Sequence, residues 1–252
     1  MTSTAEKIAA FTGGRTARAV WLGIASAETA GMAALAGAEV GVVDTEHGQI
    51  GPETCAAMIS ALHAGGAKAI TRVATTEPGR IKHALDAGAD GIIVPYVETV
   101  AEAQAAVEAF CFPPLGKRGS AMRVMRAARY GADVDYGPTW NDTGLLVLQI
   151  ESRRGLAAAP EIAAVAGVDM LLLGPSDFCA DAGWSLGADG EKVFDAWREI
   201  DAAARAAGKG MMGFSWPAAD AARLAEAGCE IVTVASDIVV LTSGLAAAVG
   251  AP

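Results

Sequence analysis

Two carboxylates and one guanidinium stand where apolar runs stop. Glu151 follows LLVLQI, Asp177 follows MLLLGPS, and Arg72 closes the run AIT, while the segment Asp44-Thr45-Glu46-His47-Gly48 continues from VGVV. If the runs are neighbouring parallel strands, about 4.8 Å apart, Glu151 and Asp177 suit a hard, oxygen-loving cation such as Mg²⁺ or Mn²⁺ with open positions. The competing reading makes Asp177 a helix N-cap and gives Glu151 an ion pair with Arg153 or Arg154. Gln149 shares side-chain parity with Glu151, so both project inward if either does. His47 has Asp44 and Glu46 nearby to orient it, as a proton-transferring base requires. His63 and His83 fall on predicted helices and read as surface or packing residues. For Arg72, where an unpaired guanidinium is expensive, either a ligand carboxylate or enolate oxygen, or a structural pair with Asp44 or Glu46, satisfies the charge. Ser176 and Asp177 open a predicted helix, whose free N–H groups can hold a substrate carboxylate.

The lysines narrow the chemistry. Lys68 and Lys209 stand at strand starts, and Lys7, Lys82, Lys117 and Lys192 fall outside the predicted strands. A Schiff-base enzyme needs an activated lysine beside the reacting carbon, and none is placed for it.

These groups must be positioned by a repeated unit. An Ala-rich amphipathic stretch ends in Ala-Gly and is followed by an apolar run, as in Ala36-Gly37 before VGVVD, Ala64-Gly65 before AITRV and Ala87-Gly88 before GIIVP. The same pattern returns at Ala166-Gly167, Ala207-Gly208 and Ala227-Gly228. Glycine closes the helix in a left-handed conformation and the short run suits a strand buried on both faces. The pattern predicts strands at 19–25, 39–44, 68–73, 90–95, 145–151, 168–174, 209–214 and 230–235. Eight such units predict an α/β fold, a closed (β/α)₈ TIM barrel forming one domain over 1–252, with its chemistry at the C-terminal strand ends. No Gly-x-Gly-x-x-Gly follows the first strand, which disfavours a dinucleotide fold. Between strands four and five, residues 111–143 exceed what one connecting helix needs. There Lys117, Arg118, Arg123, Arg126 and Arg129 form a basic run, with positions 123, 126 and 129 able to share a helix face. It reads as an anion-attracting lid or an interface loop.

Composition excludes other classes. With 29 acidic against 19 basic residues, the chain carries a formal charge of −10, which disfavours nucleic acid and anionic membranes as partners. A hydrophobic content of 52% excludes a disordered chain, and no apolar run approaches the ~18 residues of a membrane span. The opening residues lack a basic head followed by an apolar stretch, so export is not expected. Cys55, Cys111, Cys179 and Cys229 are too scattered for a zinc site and read as reduced thiols. The expected location is the cytoplasm.

Taken in order, VVDTEHG (Val42–Gly48), Arg72, VPYVETVAEA (Val94–Ala103), PPLGKRG (Pro113–Gly119), LQIES (Leu148–Ser152) and GPSDF (Gly174–Phe178) resemble the HpcH/HpaI aldolases. The resemblance runs from about Trp21 to Asp237. It implies a class II pyruvate aldolase that cleaves 4-hydroxy-2-oxo acids to pyruvate or hydroxypyruvate and an aldehyde, using Mg²⁺, Mn²⁺ or Co²⁺ and no organic cofactor. Glu151 and Asp177 would bind the ion, and a 2-oxo acid would chelate it through its ketone and one carboxylate oxygen. Arg72 would stabilise the enolate oxygen, and His47, assisted by Asp44, would move protons through a water. Gln149 and the turn Gly174-Pro175-Ser176-Asp177 would complete the substrate site. A homohexamer is also implied, with the C-terminal helix exchanged and a partner subunit closing the site. Tyr96 stands where Met is frequent, Cys179-Ala180-Asp181-Ala182 replaces a Ser/Leu-rich stretch, and Phe214-Ser215-Trp216 is bulky, leaving the aldehyde open. The alternatives are a citramalyl- or malyl-thioester lyase of the same superfamily and a barrel kept as a non-catalytic scaffold.

Overall fold

Each Ala-Gly turn hands a helix to a strand. At the second such turn Gly65 keeps a negative φ of −85°, and the left-handed position falls one residue later, at Gly66 with φ 84°. The computed structural model describes residues 2–215 and 220–250. Trp216, read from the sequence at the end of the seventh strand, and its neighbour Pro217 lie outside the described residues.

The chain runs α1 (Thr4–Thr12), β1 (Ala17–Leu22), α2 (Ala27–Leu35), β2 (Val40–Asp44), α3 (Pro52–Ala64), β3 (Lys68–Arg72), α4 (Pro78–Asp86), β4 (Gly91–Val94) and α5 (Val100–Phe110). It continues α6 (Tyr136–Thr143), β5 (Leu145–Ile150), α7 (Arg153–Ala157), α8 (Ala159–Ala163), β6 (Met170–Leu173), α9 (Pro175–Ala182) and α10 (Gly190–Ala206). It ends with β7 (Gly210–Phe214), α11 (Asp220–Glu226), β8 (Ile231–Ser236) and α12 (Asp237–Val249). The strands pair in parallel, in chain order, and β8 returns to β1, so the barrel is closed. Closure removes both sheet edges.

Alternation sorts the strand residues into two cores. Ala19, Trp21, Val42, Ile70, Ile93, Val147, Leu172 and Met212 fill the barrel, with Ile8 and Phe11 of α1 packed against them. Leu22, Val43, Leu148, Leu171 and Met211 face outward and pack among the helices. Lys7 and Asp169 form a buried ion pair of 2.8 Å that ties α1 to the start of β6.

The first strand stops before its expected end. The carboxylate of Asp237 accepts from Gly23 N at 2.9 Å and Ile24 N at 3.0 Å, taking both from the ladder. The basic run also differs from expectation: 123, 126 and 129 do not share a helix face, because Arg129 and Tyr130 are left-handed, at φ 48° and 56°. Three of its cations are spent at the N-terminal side of the barrel. Arg118 donates to Asp86 Oδ1 at 3.0 Å, Arg126 to Ala87 O at 2.8 Å, and Lys117 to Glu108 at 2.7 Å. It therefore forms no lid over the C-terminal strand ends of its own barrel. Among the described residues no helix is long and apolar enough to cross a membrane.

Candidate active site

Asp44 and Arg72 are the last residues of β2 and β3 and stand opposite each other in register. Both share the inward parity of Val42 and Ile70, so the pair forms inside the barrel mouth. Arg72 Nε donates to Asp44 Oδ1 at 2.9 Å and Nη2 to Oδ2 at 2.7 Å, a bidentate pair. Trp21 Nε1 donates to the same Oδ2 at 3.1 Å. Burial works to raise the Asp44 carboxyl, but the Arg72 guanidinium and the indole N–H outweigh it and hold it below its usual range. Glu46 Oε2 lies 2.8 Å from Arg72 Nη1, a charge contact without hydrogen-bond alignment. Burial, with Asp44 and Asp177 adding like charge, raises Glu46 despite that cation. Both structural partners considered for Arg72 are thus present. Two of its five N–H groups are used on Asp44, and the other three make no hydrogen bond and are available to a ligand oxygen.

Across the mouth, Glu151 extends the inward row of Gln149 and is 2% exposed. Its Oε1 accepts from Gln149 Nε2 at 2.8 Å and its Oε2 from Tyr96 N at 2.9 Å. Tyr96 reaches this position at φ 55°, a costly conformation for a non-glycine residue. Arg153 and Arg154 do not pair with Glu151; they bind Asp181 and Glu98. Nor does Asp177 cap a helix, because Gly174 occupies the N-cap of α9 and Asp177 lies inside its first turn. Burial first, then the charges of Glu46 and Asp177, push Glu151 up to about 7.

The donor set fits a hard divalent ion. It offers only oxygen, carries more negative charge than nearby cations offset, and contains the buried Gln149 Oε1 with no partner. A Cβ on Gly174 would sit 2.1 Å from Glu151 Oε1, so glycine keeps the cradle open. Among the described residues no three His, Cys, Asp or Glu side chains group as a ready ligand set; two carboxylates leave the other positions to water and substrate. In the first turn of α9 the N–H groups of Ser176 and Asp177 face no side-chain cap, and Pro175 has no N–H to satisfy.

His47 sits on the turn after β2 with 65% of its side chain exposed, its Nε2 3.9 Å from Glu46 Oε2. Asp44 does not touch the imidazole. Its Oδ1 instead accepts from the backbone N–H groups of Glu46 at 3.1 Å and His47 at 3.3 Å. Asp44 thus fixes the turn that carries the histidine, and Glu46 is the carboxylate nearest the ring. His63 pairs with Asp90 at 2.8 Å on the opposite side of the barrel, as a packing residue.

Sequence reasoning placed Asp44, His47, Arg72, Gln149, Glu151 and the Gly174–Asp177 turn at one rim, and they meet there. It missed Trp21 and the backbone of Tyr96. The inward parity of Trp21 at the end of β1 was the available signal; nothing local marks the Tyr96 N–H as a carboxylate donor.

Comparison with known proteins adds an independent line. The model of the HpcH/HpaI aldolase/citrate lyase family matches residues 18–243. The chain is 44% identical over 163 residues to the 2-dehydro-3,6-dideoxy-6-sulfogluconate aldolase of Pseudomonas putida, covering 65% of this chain and 64% of that protein. It is 35% identical to a hydroxypyruvate/pyruvate aldolase of Delftia acidovorans, over 92% of this chain and 86% of the relative. A family protein from Burkholderia cenocepacia superposes with a TM-score of 0.89 at 32% identity, over 96% of this chain and 97% of that one. The chain belongs to the HpcH/HpaI aldolase/citrate lyase family and is an aldolase, a carbon–carbon lyase, of that family.

Proposed function

We propose that the protein is a divalent-metal-dependent aldolase that reversibly cleaves 4-hydroxy-2-oxo acids to pyruvate or hydroxypyruvate and an aldehyde. The observation that carries this reading is the pairing, on one rim, of the buried Glu151 and its neighbour Asp177 with a guanidinium that keeps N–H groups free. Relatives that act on hydroxypyruvate and pyruvate support it.

In this reading Glu151 and Asp177 hold Mg²⁺, Mn²⁺ or Co²⁺, which when bound supplies Lewis acidity at the 2-oxo group. Arg72 directs its free N–H groups at the oxygen on C2, where negative charge develops as the C3–C4 bond breaks. Asp44 and Glu46 keep that guanidinium from swinging away. His47 moves a proton at its imidazole, taking it from the C4 hydroxyl, directly or through one water, and returning it to C3. Ser176 and Asp177 N–H groups, at the positive end of α9, hold the substrate carboxylate, and Gln149 fixes Glu151 and offers its free carbonyl oxygen to the site.

We read the whole chain, 1–252, as one barrel domain that works as a homohexamer. Support comes from α12, where no residue is buried and Val240, Leu241 and Leu245 are 61%, 50% and 54% exposed. An apolar helix left this exposed suits exchange with a neighbouring copy. Four buried thiols without disulfides suit a reducing compartment such as the cytoplasm.

The test is a retro-aldol screen over 4-hydroxy-2-oxo acids of varied length and charge, reading pyruvate and hydroxypyruvate separately. Release of either donor from several of them supports the reading. Cleavage of malyl or citramalyl thioesters with none of the free acids would replace it.

A further inference from the structure

We propose that Trp21 is a positioning residue of the aldol reaction, holding Arg72 and Asp44 in their paired geometry, with Phe214 as its support. The inference rests on the assignment of Arg72 to the oxygen on C2.

Trp21 is the last inward residue of β1 and is 6% exposed. It touches both members of the ion pair through different parts of one rigid ring. Its N–H edge binds Asp44 Oδ2 at 3.1 Å, the oxygen that also accepts from Arg72 Nη2 at 2.7 Å. Its π face carries the guanidinium, with Arg72 Cζ 4.8 Å from the ring centroid. The indole therefore ties the carboxylate from one side and attracts the cation from another. Phe214, at the end of β7, presses edge-on against it, with ring centroids 4.9 Å apart and planes at 89°.

Among the other buried tryptophans, Trp140 donates to the backbone carbonyl of Phe110 at 3.0 Å and Trp197 Nε1 meets no partner. Trp21 instead spends its donor on the carboxylate that orients Arg72. Small displacements of such a group matter: a shift of about 1 Å in a reacting geometry costs roughly a hundredfold in rate. Losing the indole frees the guanidinium to tilt within the mouth while leaving the Glu151 side of the site untouched.

Trp21→Phe removes the N–H and keeps an aromatic face; Trp21→Leu removes both; Phe214→Leu keeps the indole and removes its support. Three quantities are measured on metal-loaded enzyme: kcat and KM for retro-aldol cleavage, and exchange of pyruvate methyl protons with deuterium oxide, followed by NMR without aldehyde. Melting temperature is recorded alongside. The expected result is a fall in kcat and exchange of about tenfold for Trp21→Phe and about a hundredfold for Trp21→Leu. KM for the 2-oxo acid should hold, and Phe214→Leu should lose less than Trp21→Phe. In an Arg72→Lys background, Trp21→Phe should add no further loss, because the two act as a unit. Equal multiplicative losses in both backgrounds, or a lowered melting temperature with unchanged exchange, would overturn the positioning role. Should Trp21→Leu fail to fold, Trp21→Phe and Phe214→Leu decide the question. Wild-type exchange in Arg72→Lys itself defeats the assignment of Arg72, a different outcome from slow Arg72→Lys beside wild-type Trp21→Phe, which defeats only the role of Trp21.

Discussion

Asp44 grips Arg72 through two nitrogens from the strand next door, Nε at 2.9 Å and Nη2 at 2.7 Å, and neither side chain is more than a few per cent exposed. A buried pair of this kind is held mainly by the cost of breaking it, because the abandoned charge has no water to turn to. Asp44→Ala should destabilise the fold by about 3–5 kcal/mol, read by denaturant unfolding. Arg72→Lys keeps the charge but loses the fork. It should lower kcat by about 10²–10³ with little change in metal affinity, since the lost interaction belongs to the developing oxyanion.

The carboxylates and the histidine predict different failures. Glu151→Gln and Asp177→Asn should each remove metal binding and activity together, by calorimetry with Mn²⁺ and by a cleavage assay. His47→Ala should bind metal normally and lose about 10²–10⁴ in turnover. Wild-type turnover in His47→Ala would move the proton-transfer role elsewhere.

Gly174 gives a steric test of the same centre. A methyl group there would fall 2.1 Å from Glu151 Oε1, so Gly174→Ala must displace the carboxylate. Metal affinity should fall by about 10–100-fold, while far-UV circular dichroism stays that of the parent barrel.

Much of this site was legible because charge after an apolar run is rare unless something uses it. Glu151, Arg72 and Asp177 each announce a strand end, and parity alone puts Gln149 beside Glu151. Trp21 was legible only in its inward parity: at the end of β1 it looks like any other core residue until Asp44 is seen against its N–H. The end of β1 was misjudged because Asp237, from the far end of the chain, claims the Gly23 and Ile24 amides. The spacing of Arg123, Arg126 and Arg129 suggested a helix, yet it carries no information about the left-handed pair at Arg129 and Tyr130 that forbids one.

Acid should weaken the barrel partly through Glu39. The hydrogen bond from Arg15 holds this carboxyl down to about 2 from its usual 4.5, against some burial and with Arg18 helping. A depressed folded-state pKa contributes stability that is present above the unfolded value and lost as pH falls through the folded one. Glu39 therefore stabilises the fold above about pH 4.5 and ceases to by about pH 2. Glu39→Gln should show a smaller loss of melting temperature between pH 7 and pH 3 than the parent; an identical loss would mean the pair contributes nothing.

The cysteines should be silent in the native state. Burial pushes Cys55 and Cys111 up to about 11 and Cys229 up to about 12, and it raises Cys179 as well. Only about one part in a thousand of a thiol titrating near 11 is thiolate at pH 8. Ellman's reagent at pH 8 should find no rapidly reacting thiol until guanidinium is added, when all four of the chain's cysteines appear.

The central claim is that the electron pair released on cleavage is accepted with the help of a divalent ion at Glu151 and Asp177 and not by a lysine. Lys7 is buried against Asp169 beneath the barrel, and Lys68 stands at the start of β3, far from the Arg72 end. The direct measurement is retro-aldol cleavage by protein stripped with chelator, before and after adding Mg²⁺, Mn²⁺ or Co²⁺, and after borohydride treatment in the presence of pyruvate. The account predicts no cleavage by the stripped protein, recovery on adding metal, and no mass increase or lasting inactivation from borohydride. Full activity without metal, or a reduced pyruvyl adduct on any lysine, would contradict it.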